Sequence, residues 1–296
     1  MNATQTTYAL VTGATSGIGY ELAKLLAGSG KNLILVARLE ERLEEVRAEL
    51  AGAYGVDVQA YGVDLFERDA PAEVHRRVQA AGHVVDVLIN NAGQGVYGAF
   101  TEVELARQLA IVQLNVGALV SLTHLFLKDM LARNDGKILQ LGSLFSKIPS
   151  PLMAVYGATK AFVLSFGEAL INELKGTGVT MTVLMPGATD TDFFHKAGAV
   201  AAYVYGEKAL ADPAKVARDG YEALMSGRSS IVSGLLNKVQ AAIADLSPLT
   251  VDAAIARSLN EINETVDENT RKEATHEPSR RERAALEARG EGTGAP

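Results

Sequence analysis

The sequence predicts a doubly wound α/β fold, in which a parallel sheet of about seven strands carries helices on both faces. Short runs rich in Val, Ile and Leu alternate with longer amphipathic runs along the chain, and this alternation is typical of parallel sheets built from crossover units. The short runs are nearly continuous in apolar residues, which suits strands buried on both faces. The strands are expected at residues 8–11, 33–37, 56–63, 85–89, 137–141, 179–184 and 230–233.

Helices are predicted between these strands from apolar side chains that recur at helical spacing. In the second helix Leu43, Val46 and Leu50 form one apolar face opposite charged residues. A late helix should begin after Asp212 as N-cap, with Pro213 in its first turn, because both residue types are favoured at those positions. The five helices before it, including the second, are expected at residues 17–27, 39–50, 70–81, 103–131 and 154–175.

One domain is predicted over residues 1–264, since no linker or internal repeat interrupts the pattern. After Pro248 an apolar helical stripe follows at residues 251–262. From residue 265 to 296 the chain is charged, contains Gly and nearly lacks large apolar side chains. Such a segment cannot bury enough surface to order itself, so a disordered tail is expected there.

Composition excludes several classes of protein. The net charge of −7 and the absence of a Lys/Arg-rich run argue against nucleic-acid binding and against docking on an anionic membrane. The chain has no Cys, and its five His residues lack metal-ligand spacing, so no disulfide, thiol nucleophile or metal site is expected. Neither a signal peptide nor an unbroken run of about 18 apolar residues is present, which favours a cytoplasmic protein without a membrane span.

A glycine-rich loop separates the first strand from the first helix. Glycines let the backbone turn tightly and approach a pyrophosphate, and the helix N-terminus supplies free N–H donors. At this place in an alternating α/β chain the loop predicts a dinucleotide site, with an ordinary strand–helix turn as the alternative. The candidate residues are Gly13, Thr15, Ser16, Gly17, Ile18 and Gly19.

The loop reads G-x-x-x-G-x-G behind Thr12, and this spacing resembles the short-chain dehydrogenase/reductase family. Further motifs follow in that family's order across roughly residues 8–192. They are Asp64-Leu65, Asn90-Asn91-Ala92-Gly93, Asn115, Ser143, Tyr156-Gly157-Ala158-Thr159-Lys160, and Pro186-Gly187 with Thr191. The resemblance implies a single-domain Rossmann fold that binds a nicotinamide dinucleotide.

The resemblance also implies which residues would bind the coenzyme. Asp64 would hydrogen-bond the adenine amino group, unless it is only a turn residue that ends a strand. Asn91 and Gly93 would flank the adenosine, and Lys160 would hold the nicotinamide ribose. The other positions implied are Leu65, Ala92, Tyr156, Pro186, Gly187 and Thr191.

The end of the second strand predicts a preference for NADP(H). Ala37 occupies the position where the family usually carries an NAD-selecting acid, and Arg38 matches its NADP-selecting base. An arginine there favours the 2′-phosphate that a carboxylate would repel. NAD(H) is the alternative, because the loop lacks a second basic residue before Gly17. The alternative interpretation of Arg38 is a solvated residue paired with Glu40 or Glu41.

Tyr156 is the predicted acid/base. Reducing a ketone by hydride transfer leaves an alkoxide that needs a proton, and a free phenol has a pKa of about 10. Lowering this toward 7 takes roughly 4 kcal/mol of preferential phenolate stabilisation. Lys160 lies one helical turn on, where its positive charge shares a face with the phenol. In this reading Ser143 donates to the substrate oxygen, and Asn115 holds a water that links Lys160 to solvent.

Aromatic residues predict an apolar substrate pocket. Residues 188–212, which cover the substrate in the family, contain Phe193, Phe194, His195, Tyr203 and Tyr205. With Phe145 and its neighbours they favour a hydrophobic or aromatic ketone, aldehyde or secondary alcohol, unless the rings only pack the lid. His195 is not expected to be catalytic, because the proton route is already assigned. The helices at 103–131 and 154–175 form the family's usual dimer surface, which implies a homodimer or homotetramer.

The sequence therefore predicts an NADP(H)-dependent oxidoreductase of the carbonyl reductase type. One alternative is an epimerase or dehydratase of the extended family, but those enzymes usually carry G-x-x-G-x-x-G and a larger C-terminal domain. Another is a nonenzymatic dinucleotide-sensing protein. Such a protein would be expected to lose Tyr156, Lys160 or Ser143, and all three are present.

Overall fold

The computed structural model describes residues 6–198 and 210–244, together with Asp252 and Arg257. Within these residues seven parallel strands form one sheet in the order β3-β2-β1-β4-β5-β6-β7, so the predicted doubly wound fold is confirmed. The strands are β1 Thr7–Thr12, β2 Asn32–Ala37, β3 Val58–Gly62, β4 Val84–Asn90, β5 Gly136–Leu141, β6 Val179–Met185 and β7 Ser230–Val232. The helices are α1 Gly17–Gly28, α2 Glu40–Tyr54, α3 Ala70–Ala80, α4 Leu105–Val112, α5 Leu119–Arg133, α6 Ala154–Glu173, α7 Phe193–Ala197, α8 Pro213–Met225 and α9 Leu235–Ala244.

Two apolar cores cover the two faces of the sheet. Leu22 of α1, Leu43 of α2 and Val216 of α8 belong to one core, whereas Val74 of α3 and Phe126 of α5 belong to the other. Successive residues of a strand point to opposite faces, and β1 accordingly sends Ala9 and Val11 to the first core and Tyr8 and Leu10 to the second. Fully burying a large apolar side chain stabilises a fold by about 1.5–3 kcal/mol, so these contacts hold the layers together.

The strand order reverses at β1, which lies between β2 and β4. Parallel sheets of this kind open a crevice at the carboxyl ends of the strands, where the order reverses. Asp212 caps α8 as expected, since its Oδ1 accepts a hydrogen bond of 2.9 Å from the Ala214 N–H.

The helix expected at residues 103–131 is divided. A π-helical turn, Gln113–Ala118, separates α4 from α5. The third strand is also shorter than the predicted 56–63, and helix α9 was not predicted. Of the expected lid, residues 199–209, including Tyr203 and Tyr205, lie outside the described residues. The same holds for the tail at 265–296 and for all of the 251–262 stripe except Asp252 and Arg257, so the domain boundaries stay a prediction.

Two helical segments satisfy the length and composition of a membrane span. They are Leu105–Arg133, with a mean hydropathy of 1.7, and Ala154–Glu173, with a mean hydropathy of 1.2. Polar residues scattered along both segments prevent the unbroken apolar run that was sought in the sequence. Packed core helices of soluble proteins have the same length and composition, and the most apolar stretches of these two segments are 44% and 39% buried. The two segments are therefore weak evidence for a membrane span.

Candidate active site

A cavity of about 1040 Å³ opens beside the glycine loop at the carboxyl ends of the strands. It gathers most of the predicted site, although Gly19 and Asn115 are not among its lining residues. In the described part of the chain no group of three His, Cys, Asp or Glu side chains is placed to hold a metal ion. The predicted residues that line the cavity are Gly13, Thr15, Ser16, Gly17, Ile18, Arg38, Asp64, Leu65, Asn91, Ala92, Gly93, Ser143, Phe145, Tyr156, Lys160, Pro186, Gly187, Thr191, Phe193 and Phe194.

Glycine is needed at three positions in the β1–α1 loop and the first turn of α1. Gly13 and Gly17 have φ angles of +65° and +56°, which L side chains rarely adopt. A Cβ on Gly13 would lie 2.9 Å from Asn91 Nδ2, and a Cβ on Gly17 would lie 2.8 Å from Thr191 Cγ2. A Cβ on Gly19 would overlap Asn91 Nδ2 and the Gly13 carbonyl oxygen. Gly13 and Gly17 thus line the cavity with bare backbone, beside the N-terminus of α1 that could receive a pyrophosphate.

Thr12 and Asn91 brace this loop. The Thr12 hydroxyl donates to the Ile89 carbonyl oxygen at 3.1 Å and accepts from the N–H groups of Asn91 and Ala92 at 3.0 and 2.9 Å. Asn91 Nδ2 donates to the carbonyl oxygens of Thr12 and Gly13 at 2.9 and 3.1 Å. Asn91 thus supports the loop backbone in addition to lining the cavity, and the bracing role of Thr12 was missed in the sequence.

Arg38 lies at the end of β2 with its side chain 48% exposed. Its Nε is 4.0 Å from Asp64 Oδ1, and its guanidinium carbon is 5.0 Å from the centroid of the Phe66 ring. Asp64 Oδ1 also accepts from the Phe66 N–H at 3.0 Å, as expected of a turn residue. Among the described ion pairs Arg38 is therefore matched with Asp64 and not with Glu40 or Glu41.

Tyr156 and Lys160 lie one turn apart near the start of α6, and both are buried. The Lys160 Nζ is 5.8 Å from the centroid of the Tyr156 ring and donates to the Leu141 carbonyl oxygen at 2.7 Å. Burial removes water from the ammonium and lowers the pKa of Lys160 from 10.5 to about 8. The positive charge thus lies on the phenol's side of the helix, as the spacing of the two residues predicts.

Ser143 follows β5 and caps a short 3₁₀ helix, Leu144–Ser146. Its Oγ accepts from the Phe145 N–H at 3.2 Å, and its own N–H donates to Ser146 Oγ at 3.1 Å. The Leu144 N–H donates to the Pro186 carbonyl oxygen at 2.8 Å, which ties this turn to the end of β6. Because the cap uses Oγ as an acceptor, it does not consume the hydroxyl hydrogen.

Asn115 occupies the π-helical turn Gln113–Ala118 and is 1% exposed. Its Oδ1 accepts from the Gln94 N–H at 3.0 Å, while its Nδ2 donates to the Gln94 carbonyl oxygen at 2.9 Å and to Thr159 Oγ1 at 3.0 Å. Thr159 Oγ1 in turn donates to the Tyr156 carbonyl oxygen at 2.7 Å. Asn115 thus links the loop after β4 to the start of α6, and its role toward a water stays a prediction.

Aromatic rings form a wall beside the phenol. The Tyr156 ring lies 5.0 Å from that of Phe193 and 6.3 Å from that of Phe145, and Phe193 meets Phe194 edge to face at 5.5 Å. Aromatic pairs favour such tilted and edge-on contacts. The wall is therefore apolar directly beside the group predicted to transfer a proton. The side chain of His195 lies outside the described residues.

The loop after β4 positions this wall. The Tyr97 N–H donates to the Ala197 carbonyl oxygen at 2.9 Å, which fixes helix α7 against the loop. A Cβ on Gly95 would lie 2.7 Å from Phe193 Cζ and 2.9 Å from Met153 Cε. The rings can approach the loop this closely because residue 95 has no side chain. Neither contact has a signal in the sequence motifs.

Comparisons with known proteins agree with this geometry. The chain is 36% identical over 176 residues to a very-long-chain 3-oxoacyl-CoA reductase of Laccaria bicolor, which covers 59% of the chain but only about half, 52%, of that relative. It is 38% identical over 186 residues to sulfoacetaldehyde reductase 2 of Chromohalobacter salexigens, covering 62% of the chain and 73% of the relative. A solved short-chain dehydrogenase from Sphingobium yanoikuyae in complex with NADPH is 29% identical, covers 83% of this chain and 95% of its own, and superposes with a TM-score of 0.72.

The profile of the short chain dehydrogenase family matches residues 7–201. This range takes in the glycine loop, the braces of Thr12 and Asn91, and the pair formed by Tyr156 and Lys160. Since the match covers well over half of the chain and its motifs converge on one cavity, the chain belongs to the short-chain dehydrogenase family.

Proposed function

We propose that the chain is an NADP(H)-dependent oxidoreductase that interconverts a carbonyl and an alcohol. The observation that carries the proposal is the convergence of Ser143, Tyr156 and Lys160 with the glycine loop on one cavity. Two relatives bear the names of reductases of carbonyl compounds, a 3-oxoacyl-CoA and sulfoacetaldehyde. Consumption of NADPH with a carbonyl compound tests the proposal, and a protein that binds NADPH but reduces no member of a broad panel would instead be a sensor.

In the proposed reaction, residues of the chain donate the proton and stabilise the charge that it leaves. NADP(H), when bound, supplies the hydride in the direction of reduction and accepts it in the direction of oxidation. The Tyr156 hydroxyl gives its proton to the substrate oxygen, which becomes the hydroxyl of the product alcohol. The nearby Lys160 ammonium stabilises the phenolate that is left behind. The Ser143 hydroxyl donates a hydrogen bond that holds the substrate oxygen in place.

Arg38 supports the preference for NADP(H). Its guanidinium borders the cavity beside Asp64 at the end of β2, where a 2′-phosphate would meet a positive charge. The structure from Sphingobium yanoikuyae contains NADPH. The variant Arg38→Asp should shift the ratio of kcat/KM for NADPH over NADH toward NADH. A ratio equal to that of the wild type would contradict the proposed preference.

The substrate proposed is a hydrophobic or aromatic carbonyl compound. Support comes from the rings of Phe145, Phe193 and Phe194 around Tyr156, and from the relative named for very long acyl chains. A small polar aldehyde is the second candidate, because sulfoacetaldehyde reductase 2 is the other relative. Rates of NADPH oxidation with an aromatic ketone, a long-chain 3-oxoacyl thioester and sulfoacetaldehyde separate the two, and preference for sulfoacetaldehyde would overturn the apolar proposal.

A homodimer or homotetramer is also proposed. Leu105 and Leu109 of α4 and Phe162 of α6 are 63%, 58% and 39% exposed, so the helices of the family's usual dimer surface present apolar side chains. Large apolar side chains exposed on neighbouring helices favour association. Light scattering after size exclusion measures the mass directly, and a monomer at micromolar concentration would contradict the proposal.

A further inference from the structure

Two guanidinium groups lie over the ring of Phe66. The guanidinium carbon of Arg38 is 5.0 Å from the ring centroid, and that of Arg107 is 5.8 Å from it. A cation within about 6 Å of an aromatic centroid is attracted to the ring face. Phe66 lines the cavity, as do its neighbours Arg38 and Asp64. No motif in the sequence assigns a role to this ring.

The turn at residues 64–66 presents a carboxylate and a ring to Arg38 together. The Phe66 N–H donates a hydrogen bond of 3.0 Å to Asp64 Oδ1, and the same oxygen lies 4.0 Å from Arg38 Nε. The Arg38 side chain is about half exposed, and ordering such a long side chain costs rotamer entropy. Contacts that restrain the guanidinium before the coenzyme arrives reduce that cost on binding.

Arg107 contacts the Phe66 ring from helix α4, which lies outside the turn at residues 64–66. It belongs to α4, and its guanidinium donates to Gln94 Oε1 at 2.7 Å. The main chain of Gln94 is itself held by two hydrogen bonds with the buried Asn115. The Phe66 ring therefore contacts a guanidinium group that is itself held in place through Gln94 and Asn115.

We propose that Phe66 is a positioning residue that holds Arg38 for the 2′-phosphate and thereby sets the selectivity for NADP(H) over NAD(H). This inference rests on the proposed function, in which Arg38 meets that phosphate. NAD(H) has no 2′-phosphate, so its affinity does not depend on the position of Arg38. Phe66 consequently affects the binding of one coenzyme and not of the other.

The test is a double-mutant cycle on coenzyme affinity, measured by calorimetric titration with NADPH and with NADH, which requires no substrate. Phe66→Leu keeps an apolar side chain but removes the ring face, and should weaken NADPH binding roughly two- to fivefold with NADH binding unchanged. Phe66→Tyr keeps the face and should bind NADPH like the wild type. In an Arg38→Leu background, Phe66→Leu should produce no further loss.

Each of the remaining outcomes of this experiment contradicts a specific claim. Equal weakening of NADPH and NADH by Phe66→Leu, or a loss that persists in the Arg38→Leu background, overturns the positioning role. An NADPH/NADH affinity ratio that responds to Arg38→Leu but not to Phe66→Leu also overturns it, and leaves the coenzyme preference standing. A ratio that Arg38→Leu does not move overturns both. If Phe66→Leu lowers the unfolding midpoint appreciably, Phe66→Met is measured in its place.

Discussion

The buried ammonium group of Lys160 donates a hydrogen bond of 2.7 Å to the carbonyl oxygen of Leu141, the last residue of β5. The acceptor is a neutral group, so this bond does not balance the charge that the fold removes from water. The lowered pKa of Lys160, about 8, reflects that cost. The residue proposed to stabilise a phenolate is thus held where its own positive charge is disfavoured.

Replacing Lys160 with Met should stabilise the protein without coenzyme while removing its activity. A pKa lowered from 10.5 to about 8 corresponds to a penalty of at most roughly 3 kcal/mol, and losing the bond to Leu141 offsets about 1 kcal/mol of it. We expect Lys160→Met to raise the free energy of unfolding by up to about 2 kcal/mol at pH 7, as measured by urea denaturation.

The pH dependence of that difference follows from linkage. Between pH 8 and 10.5 the unfolded chain still binds the Lys160 proton, whereas the folded chain has released it. The wild type therefore gains stability relative to Lys160→Met as pH rises through this window, and the gap closes. A variant less stable than the wild type at pH 7 would mean that the Leu141 bond outweighs desolvation.

Tyr156→Phe should leave the fold and NADPH binding intact and lower kcat sharply. The ring contacts with Phe145 and Phe193 remain, and only the hydroxyl is lost. Positioned acid/base groups contribute about 10²–10⁴ in rate, so kcat should fall by a factor of that order. Tyr54→Phe, which alters an exposed tyrosine of α2, is the matched control. A variant that retains about a tenth or more of the wild-type kcat would have lost less than a positioned acid/base group contributes, and this would refute the role assigned to Tyr156.

Asn115→Ala should both destabilise the protein and lower kcat. It leaves the N–H and carbonyl oxygen of Gln94 and the Thr159 hydroxyl without the Asn115 amide. Stranding buried polar groups costs about 1–3 kcal/mol, visible in urea denaturation. Thr159→Ser keeps the hydroxyl and should behave like the wild type. If Asn115→Ala unfolds at the wild-type denaturant concentration, the described hydrogen bonds do not support the site.

Gly19→Ala should abolish NADPH binding and destabilise the fold, because its Cβ would overlap Asn91 Nδ2 and the Gly13 carbonyl oxygen. The control is Gly52→Ala in α2, where a Cβ meets nothing within 4 Å. There the change should raise the free energy of unfolding by about 0.5–1 kcal/mol, since Ala favours helix over Gly. NADPH titration and thermal unfolding of the two variants measure the contrast, and equal behaviour would show that the loop tolerates a side chain.

The sequence was sufficient for the architecture because apolar runs and their alternation are local signals. The predicted third strand, 56–63, was too long, because only residues 58–62 pair with β2. The sequence also missed the π-helical turn, because apolar spacing continues through it. That turn is held by the bonds of Asn115 to Gln94, a loop residue 21 positions away, and such a contact leaves no trace in local periodicity.

The same distinction between local and long-range signals applies to the candidate site. Residues with a fixed spacing were predicted from the sequence, and of these Gly13, Gly17, Tyr156 and Lys160 line one cavity. Phe66 and Gln94 were missed because their contacts join segments that are distant in the chain. Coenzyme preference and substrate class depend on such contacts, and they therefore remain proposals.

The π-helical turn Gln113–Ala118 makes this helix sensitive to residue count as well as to residue identity. A π turn holds about one residue more than an α turn, so the extra residue is absorbed within one wide turn. Deleting one residue from the turn would restore regular α winding and leave α4 and α5 in nearly their present orientation. The wide turn that carries Asn115 would be lost, and with it the geometry of the bonds from Asn115 to Gln94. Homologous chains should consequently retain both Asn115 and the length of this helix, while its exposed positions exchange side chains.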